Sequence, residues 1–236
     1  MPDQKTAAAE RANAAQAAGP AKTSARRWLK PAVAVVAVAA VLAAMFLNTK
    51  FIANENLEQY TGKQFSAEEF AAANFEPVVL PGILEKAQPA AELYAAIKED
   101  LDAAGEAFGG RDGSSAWAFP VSFTGVAGDV NTVNGRMEVQ IAGIPADLKV
   151  LVQMGPPVIG SALRDVTGTI SFGMFLNQTE FQHAGQALND VVRANLLQDF
   201  KAAELKGKTI SVVGAFQGDQ ATSRWLVTPV QITVEG

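Results

Sequence analysis

Residues 117–154 read WAFPVSFTGVAGDVNTVNGRMEVQIAGIPADLKVLVQM, and this stretch decides the fold class. Apolar side chains alternate with small or polar ones in three successive runs, which is the period of a strand with one buried face. The alternating positions are Trp117, Phe119, Val121, Phe123, Met137, Val139, Ile141, Leu148, Val150, Val152 and Met154. Asn134-Gly135, between the first two runs, is typical of a tight hairpin. The stretch therefore predicts three antiparallel strands.

Downstream of these strands the pattern changes to a helix and then returns to strands. Apolar residues three and four positions apart over 188–200 predict a helix that ends near Lys206-Gly207. Two further alternating runs follow at 210–216 and 230–234, with a turn around Gly218-Asp219 between them. The second half of the chain thus has the element order of three strands, a helix and two strands.

This order indicates a fold that is mainly β with helices. It is the order of a five-stranded OB-type barrel, which we place in residues 114–236. An insertion at about 155–185 separates the third strand from the helix. Residues 51–113 precede the barrel, and we expect them to form a helical segment that packs on it.

The helical segment carries two signals that fix where helices begin and break. The sequence SAEE at 66–69 is a capping box, and Phe65 and Phe70 are placed as a hydrophobic staple around it. Pro77 and Pro81 then interrupt the helical pattern. We therefore expect a short helix from residue 67, a break at the prolines, and further helices up to a glycine-rich loop before the barrel.

An uncharged apolar run, PAVAVVAVAAVLAAMFL, occupies residues 31–47. At about 1.5 Å per residue, a helix of this length approaches the roughly 30 Å of hydrocarbon in a bilayer. Arg26, Arg27 and Lys30 precede the run, and cationic residues stay on the cytoplasmic side of a membrane helix. The sequence predicts a single-pass anchor in the inner membrane at residues 31–50, with the C-terminal domain in the periplasm.

Residues 1–30 have six basic against two acidic side chains and no apolar repeat, which predicts a disordered cytoplasmic tail. A cleaved signal peptide is the alternative to an anchor, because Val41-Leu42-Ala43 offers a small-residue cleavage site. A leader of this length before the apolar run is long for a signal peptide. A buried core helix is the third alternative, but the run lacks the polar stripe of an amphipathic helix.

The charge and the absence of cysteine exclude several functions. The formal net charge is −5, and the basic N-terminus makes the remainder more acidic still, which argues against nucleic acid as a partner. The chain has no cysteine. It therefore has no disulfide, no Cys-ligated zinc, no thiolate nucleophile and no N-terminal Cys to carry a lipid.

Short motifs of the insertion and its flanks stand in a distinctive order. They are VLP at 79–81, EKA at 85–87, GPPVIGSALRD at 155–165, ISF at 170–172, Phe175, NQ at 177–178, LKGK at 205–208 and VTPV at 227–230. Over most of residues 60–236 this order resembles a bacterial family of predicted periplasmic lipoproteins, domain of unknown function 2291. The resemblance implies export, membrane attachment and frequent association with sugar-type ABC import systems, and it implies no activity. This chain lacks the lipobox Cys, so the predicted anchor would replace the lipid.

Four polar residues of the insertion are the candidate binding residues. Arg164, Asp165, Asn177 and Gln178 lie among apolar residues in a segment too long for a plain connection. In the alternative, structural interpretation, Arg164 pairs with Asp165 or a neighbouring carboxylate, while the two amides satisfy backbone groups of the loop.

Signals for catalysis are weak. His183 is the only histidine, and a Ser/His/Asp set with Ser161 and Asp165 can be assembled only on paper. Ser161 stands in Gly-Ser-Ala rather than in a nucleophile elbow, and no His, Asp and Glu cluster has metal-ligand spacing. The sequence therefore predicts no catalytic residue, no cofactor and no metal.

Two functions remain after these exclusions. The first is a membrane-anchored periplasmic accessory or binding protein without catalytic activity, whose partners are the inner membrane and a sugar ABC transporter or its periplasmic binding protein. The alternative is an envelope hydrolase that acts on a sugar or peptide with carboxylate chemistry. Two carboxylates facing each other about 5 to 10 Å apart in a cleft would favour the hydrolase.

Overall fold

The computed structural model describes most of the chain after residue 63. The described residues are 35, 38–42, 45, 64–198 and 200–235. The chain divides into two units, Met1–Lys63 and Gln64–Gly236. The strands and the helices that follow residue 63 make up the second unit.

The predicted membrane anchor at residues 31–50 falls in the first unit, and most of it lies outside the described residues. Residues 35, 38–42 and 45 of this stretch are described, and all of them are helical with exposed side chains. Among the residues that the structure describes, none belongs to a helix both long and apolar enough to cross a bilayer. The predicted cytoplasmic tail at residues 1–30 lies outside the described residues altogether.

The second unit contains α-helices, strands and short π- and 3₁₀-helical turns. The α-helices are α1 (Ala67–Asn74), α2 (Leu80–Lys86), α3 (Ala90–Glu99), α4 (Leu101–Phe108), α5 (Ala162–Asp165) and α6 (Gln178–Val192). The strands are β1 (Gln88–Pro89), β2 (Ala118–Val130), β3 (Arg136–Ile141), β4 (Lys149–Gln153), β5 (Thr209–Gln217) and β6 (Arg224–Val234). π-Helical turns occupy Phe75–Val79 and Arg193–Leu197, and 3₁₀ turns occupy Phe172–Met174, Ala202–Leu205 and Gly218–Gln220.

Strands β2 to β6 close into a barrel. Strand β3 pairs antiparallel with β2 and with β4, which confirms the three predicted antiparallel strands. Strand β4 then pairs parallel with β6, β6 pairs antiparallel with β5, and β5 returns antiparallel to β2. With α6 between β4 and β5, this is the connectivity of a five-stranded OB barrel, as the element order predicted.

Large apolar side chains fill the barrel because the strands keep the alternation seen in the sequence. The ring of Phe216 on β5 stacks on Trp225 of β6, with centroids 4.4 Å apart. The ring of Phe119 on β2 also stacks on Phe216, with centroids 5.6 Å apart. All three side chains are fully buried. The Trp225 indole Nε1 donates to the carbonyl of Ala221 at 2.7 Å, so the polar atom buried with this ring is satisfied.

The β2–β3 hairpin forms where the Asn-Gly pair predicted it. Gly135 has φ +63°, a left-handed conformation that glycine adopts without strain. The Asn131 side chain organises the turn, since its Oδ1 accepts from the backbone N–H groups of Val133 and Asn134 at 2.9 and 3.2 Å. The hairpin therefore owes its register to local turn chemistry as well as to the buried face.

The predicted N-cap at the start of α1 is confirmed. The Ser66 Oγ accepts from the backbone N–H of Glu69 at 3.2 Å. The rings of Phe65 and Phe70 lie 5.9 Å apart, as expected of the hydrophobic staple. Helices α2, α3 and α4 of the same segment all pack against β2.

The prediction that Pro77 and Pro81 break the helix is wrong. The chain passes from α1 through the π-helical turn directly into α2. In the π register the N–H of Leu80 donates to the carbonyl of Phe75, five residues back. Pro81 lies in the first turn of α2, where a missing N–H has little consequence. A change of helical register therefore accommodates both prolines.

The insertion is shorter than predicted, and the helix after it begins earlier. Helix α6 starts at Gln178, so the connection from β4 spans residues 154–177 rather than about 155–185. Buried Phe181, Ala184 and Leu188 extend the apolar face upstream, but the exposed polar residues between them hide the period in the sequence. The α-helix also ends at Val192, before the predicted end near Lys206-Gly207.

Candidate functional site

Arg164 and Asp165 form a buried ion pair in α5. The Arg164 Nε donates to Asp165 Oδ1 at 2.7 Å, and its Nη2 donates to Oδ2 at 3.1 Å. The two residues are 8% and 0% exposed. A two-point contact of this kind is the strong form of an arginine–carboxylate interaction. The geometry is that of the structural interpretation, in which Arg164 pairs with its neighbour.

Other polar groups complete the ion pair. The Ser161 hydroxyl donates to Asp165 Oδ2 at 2.6 Å and accepts from Gln217 Nε2 at 2.7 Å. The Arg164 Nη1 donates to the carbonyl of Phe181 at 3.1 Å. The pair therefore joins α5 to α6 and to β5, and each charge is compensated inside the protein.

The side chains of Ser161 and His183 lie in different environments. The Ser161 hydroxyl donates to Asp165, whereas the exposed side chain of His183 lines a groove between α1 and α6. The triad assembled on paper has the histidine between the serine and the carboxylate. Here the serine contacts the carboxylate directly. Within the part of the chain that the structure describes, no group of three His, Asp or Glu side chains could hold a metal ion.

Asn177 is the N-cap of α6. Its Oδ1 accepts from the backbone N–H of Glu180 at 2.9 Å, and the Glu180 carboxylate in return accepts from the N–H of Leu176 at 3.0 Å. Gln178 is the first residue of the helix, and its side chain is exposed. The structure therefore brings together Arg164 and Asp165, whereas the two amides lie at the start of a different helix.

Two buried amides that the sequence reading missed hold the backbone of the GPPVIG segment. Gln153 accepts from the N–H of Ile159 and donates to the carbonyl of the same residue, both at 2.9 Å, and it also donates to Thr228 Oγ1 at 2.7 Å. Asn189 donates to the carbonyl of Gly160 at 2.8 Å, and its own Oδ1 has no partner among the described atoms. In the period-two pattern of β4, Gln153 falls on the face opposite Val150 and Val152, which the sequence predicts to be exposed. Its burial was therefore not predicted.

Arg164 also contacts an aromatic cluster, which we define as five phenylalanines. The cluster consists of Phe65, Phe70, Phe172, Phe175 and Phe181. The guanidinium carbon of Arg164 lies 3.5 Å from the centroid of the Phe181 ring, a cation–π contact. The Phe175 ring lies 5.3 Å from that of Phe181 and 5.4 Å from that of Phe65. The cluster thus joins the insertion to the start of the second unit.

Beyond this cluster the insertion ends in an exposed apolar tip, which we define as residues 172–176. Phe172, Met174 and Leu176 are 43%, 58% and 77% exposed, whereas Phe175 between them is buried. The backbone N–H of Phe172 donates to Asp112 Oδ2 at 3.1 Å, which fixes the start of the tip. Three large apolar side chains therefore project from a segment whose centre is held in the core.

A second surface feature is the helix groove between α1 and α6, a cavity of about 520 Å³. Its apolar lining consists of Ala67, Ala71, Ala72, Ala187, Val191 and Ala194. Glu68, His183 and Asp190 supply polar groups to the same lining. Asp190 Oδ1 accepts from Arg193 Nη2 at 3.1 Å, an ion pair in which both side chains are about half exposed. The small alanine side chains leave the apolar surface open between two helices.

The closed barrel, with its helix between the third and fourth strands, defines the protein as an OB-fold protein. It is similar in structure to an OB-fold protein from Thermotoga maritima, with a TM-score of 0.56 and 15% sequence identity. The match covers 73% of this chain and 100% of that chain.

The family follows from the sequence. Residues 5–233 match the family described as predicted periplasmic lipoprotein, domain of unknown function 2291, and the chain belongs to it. The resemblance inferred from the insertion motifs is thus confirmed. A search of curated proteins found no match.

Proposed function

We propose that this protein is a non-catalytic accessory module of the cell envelope, tethered to the inner membrane by residues 31–50. Its second unit faces the periplasm and binds another envelope protein. The periplasmic description of the family supports the compartment. The tether is supported by the uncharged run at 31–47 and by Val35, Val38 and Leu42, which are helical with exposed apolar side chains.

The helix groove is the observation that carries the binding proposal. Alanines on both helices let a partner's side chains approach the helix backbones, and Val191 adds apolar surface. A helix or an extended peptide with apolar anchors fits such a groove, and Glu68 at its edge favours a cationic group on the partner, whereas Asp190 is already paired with Arg193. The groove therefore selects a partner mainly by its apolar anchors.

The proposed partner is a component of a sugar-type ABC import system. The association implied by the resemblance of the insertion motifs supports this choice, and a tethered periplasmic module can reach both the transporter and its binding protein. Association through a modest groove suits a regulatory or assembly role, because small interfaces form transient complexes.

Photo-crosslinking in intact cells tests the groove. A photoreactive residue at exposed Ala194 in the full-length protein should capture one discrete envelope protein, identified by mass spectrometry as an ABC importer component. The matched control is exposed Ala95 on α3, outside the groove, which should capture none. Ala72→Glu should lower the yield at position 194 about tenfold, whereas Ala95→Glu should not change it. Equal capture at both positions would contradict the proposal.

A hydrolase is the second candidate because Glu68 and Asp190 line the same groove. Glycosidases need two carboxylates across a cleft, one as acid and one as base or nucleophile. Purified full-length protein that releases reducing ends from an envelope polysaccharide, and loses this activity in Glu68→Gln and Asp190→Asn, would establish the hydrolase instead. Activity that survives both substitutions would exclude this groove as its site.

A further inference from the structure

The proposed binding at the helix groove does not account for the exposed side chains of the apolar tip, because no residue of the tip lines the groove. Phe172, Met174 and Leu176 project outward, whereas Phe175 anchors the segment in the aromatic cluster. Residues 171–178, SFGMFLNQ, carry no charged side chain. Phe and Leu are among the side chains by which membrane-surface segments enter the boundary between lipid headgroups and acyl chains.

We propose that the apolar tip inserts into the interface of the same bilayer that holds the anchor. The second unit would then rest against the membrane with a fixed orientation, instead of moving freely at the end of its tether. This inference rests on the proposed tether, and it adds a second, weaker point of membrane contact.

The position of the tip in the fold supports this assignment. The second unit begins at Gln64, and the ring of the next residue, Phe65, lies 5.4 Å from Phe175 in the centre of the tip. Residues 51–63 are all that separates the proposed anchor from this point, a reach of at most about 45 Å when fully extended. The chain therefore enters the second unit beside the tip, and a linker of this length allows the tip to reach the membrane surface.

The tip is held in shape before it meets any partner. Phe175 packs between Phe70 and Phe181, and Phe181 is covered on one face by the buried Arg164. Asp112 holds the backbone of Phe172 from the loop before β2. A preorganised apolar segment loses little conformational freedom on insertion, which favours binding.

Lipid suits the tip better than a protein does. Three side chains on a projecting segment offer far less than the roughly 800 Å² that each partner buries in a standard protein interface. The neighbouring Glu180 carboxylate accepts hydrogen bonds from Leu176 and Asn177 of the tip's own loop. With no basic residue in the tip, we expect insertion to depend on apolar burial, and to be insensitive to salt and to anionic lipid.

Site-specific fluorescence tests the inference, since the chain has no cysteine of its own. Full-length Leu176→Cys carries an environment-sensitive dye in phosphatidylcholine vesicles that contain spin-labelled lipid. The matched control is Val133→Cys, whose side chain is 89% exposed. Asp112, which contacts the tip, precedes β2, whereas Val133 follows the other end of that strand. The inference predicts several-fold stronger lipid quenching at position 176 than at position 133, unchanged in 0.5 M salt.

Flotation of the same vesicles separates this inference from the tether. If the protein floats with the vesicles but position 176 is quenched no more than position 133, the tip does not touch lipid, although the tether stands. Failure of the protein to float would remove the tether and the inference together. A dye at position 176 that becomes shielded only after a protein partner is added would assign the tip to that partner and overturn the inference.

Discussion

The two halves of the insertion between β4 and α6 invert the usual relation between polarity and burial. In the first half, Arg164 and Asp165 are charged and buried. In the second half, Phe172, Met174 and Leu176 are apolar and exposed. The first half finds its partners within the chain, and the second half leaves part of its apolar surface uncovered by the described residues. The half whose side chains are fully paired within the protein supports the fold, whereas the half with uncovered side chains is available to contact something else. Polarity alone does not distinguish the two.

Removing one charge of the buried pair should have the largest effect on stability. Asp165→Ala leaves the Arg164 guanidinium in the protein interior without its carboxylate and leaves Ser161 without its acceptor. We expect the free energy of unfolding to fall by about 3 to 5 kcal/mol, a large part of the stability of a typical domain. Urea unfolding followed by circular dichroism measures this loss.

The exposed pair of Asp190 and Arg193 provides the matched control. Its side chains are 46% and 50% exposed at an N···O distance of 3.1 Å, so solvent screens the interaction. Asp190→Ala should change the free energy of unfolding by no more than about 0.5 kcal/mol. Similar losses in Asp190→Ala and Asp165→Ala would mean that burial does not distinguish the two pairs.

The aromatic cluster should show the same contrast within the tip itself. Phe175→Ala empties a buried site between Phe65, Phe70 and Phe181 and should cost about 3 kcal/mol. Phe172→Ala removes a half-exposed ring with one edge contact and should cost about 1 kcal/mol. Thermal unfolding of both variants checks the difference, and a larger loss in Phe172→Ala would reverse our assignment of which ring anchors the tip.

Among Asp165→Ala, Phe175→Ala and Asn177→Ala, the loss of the helix cap at Asn177 should have the smallest effect on stability. Asn177→Ala removes the acceptor for the backbone N–H of Glu180 but leaves the helix start exposed to water. We expect a loss of about 1 kcal/mol in the free energy of unfolding. Asn177→Asp keeps the acceptor and serves as the control, so equal losses in both variants would show that the cap contributes nothing.

The barrel could be predicted because its information is local. Period-two alternation and an Asn-Gly turn are visible in a short window, and buried Phe119, Val121 and Val139 follow them. The start of α6 was missed because exposed polar residues such as Gln182 and His183 obscure its apolar face. The helical path through Pro77 was missed because it depends on a change of hydrogen-bond register, which no sequence window displays.

The candidate site could be predicted only in part, because burial is a long-range property. The adjacency of Arg164 and Asp165 suggested that they pair, but their burial depends on Phe181 and Gln217, which lie far along the chain. The exposure of Leu176 likewise depends on where the loop ends in the fold. Sequence therefore supplied the chemistry of these residues, and tertiary structure supplied their roles.

Partner capture by Arg164→Ala, measured on protein shown to be folded, tests the central claim most directly. That claim is that the buried pair supports the fold, while binding occurs at the helix groove. At a temperature where circular dichroism shows a folded variant, photo-crosslinking at position 194 should recover the partner at the wild-type yield. A folded Arg164→Ala protein that no longer captures the partner would place Arg164 in the binding site and contradict the account.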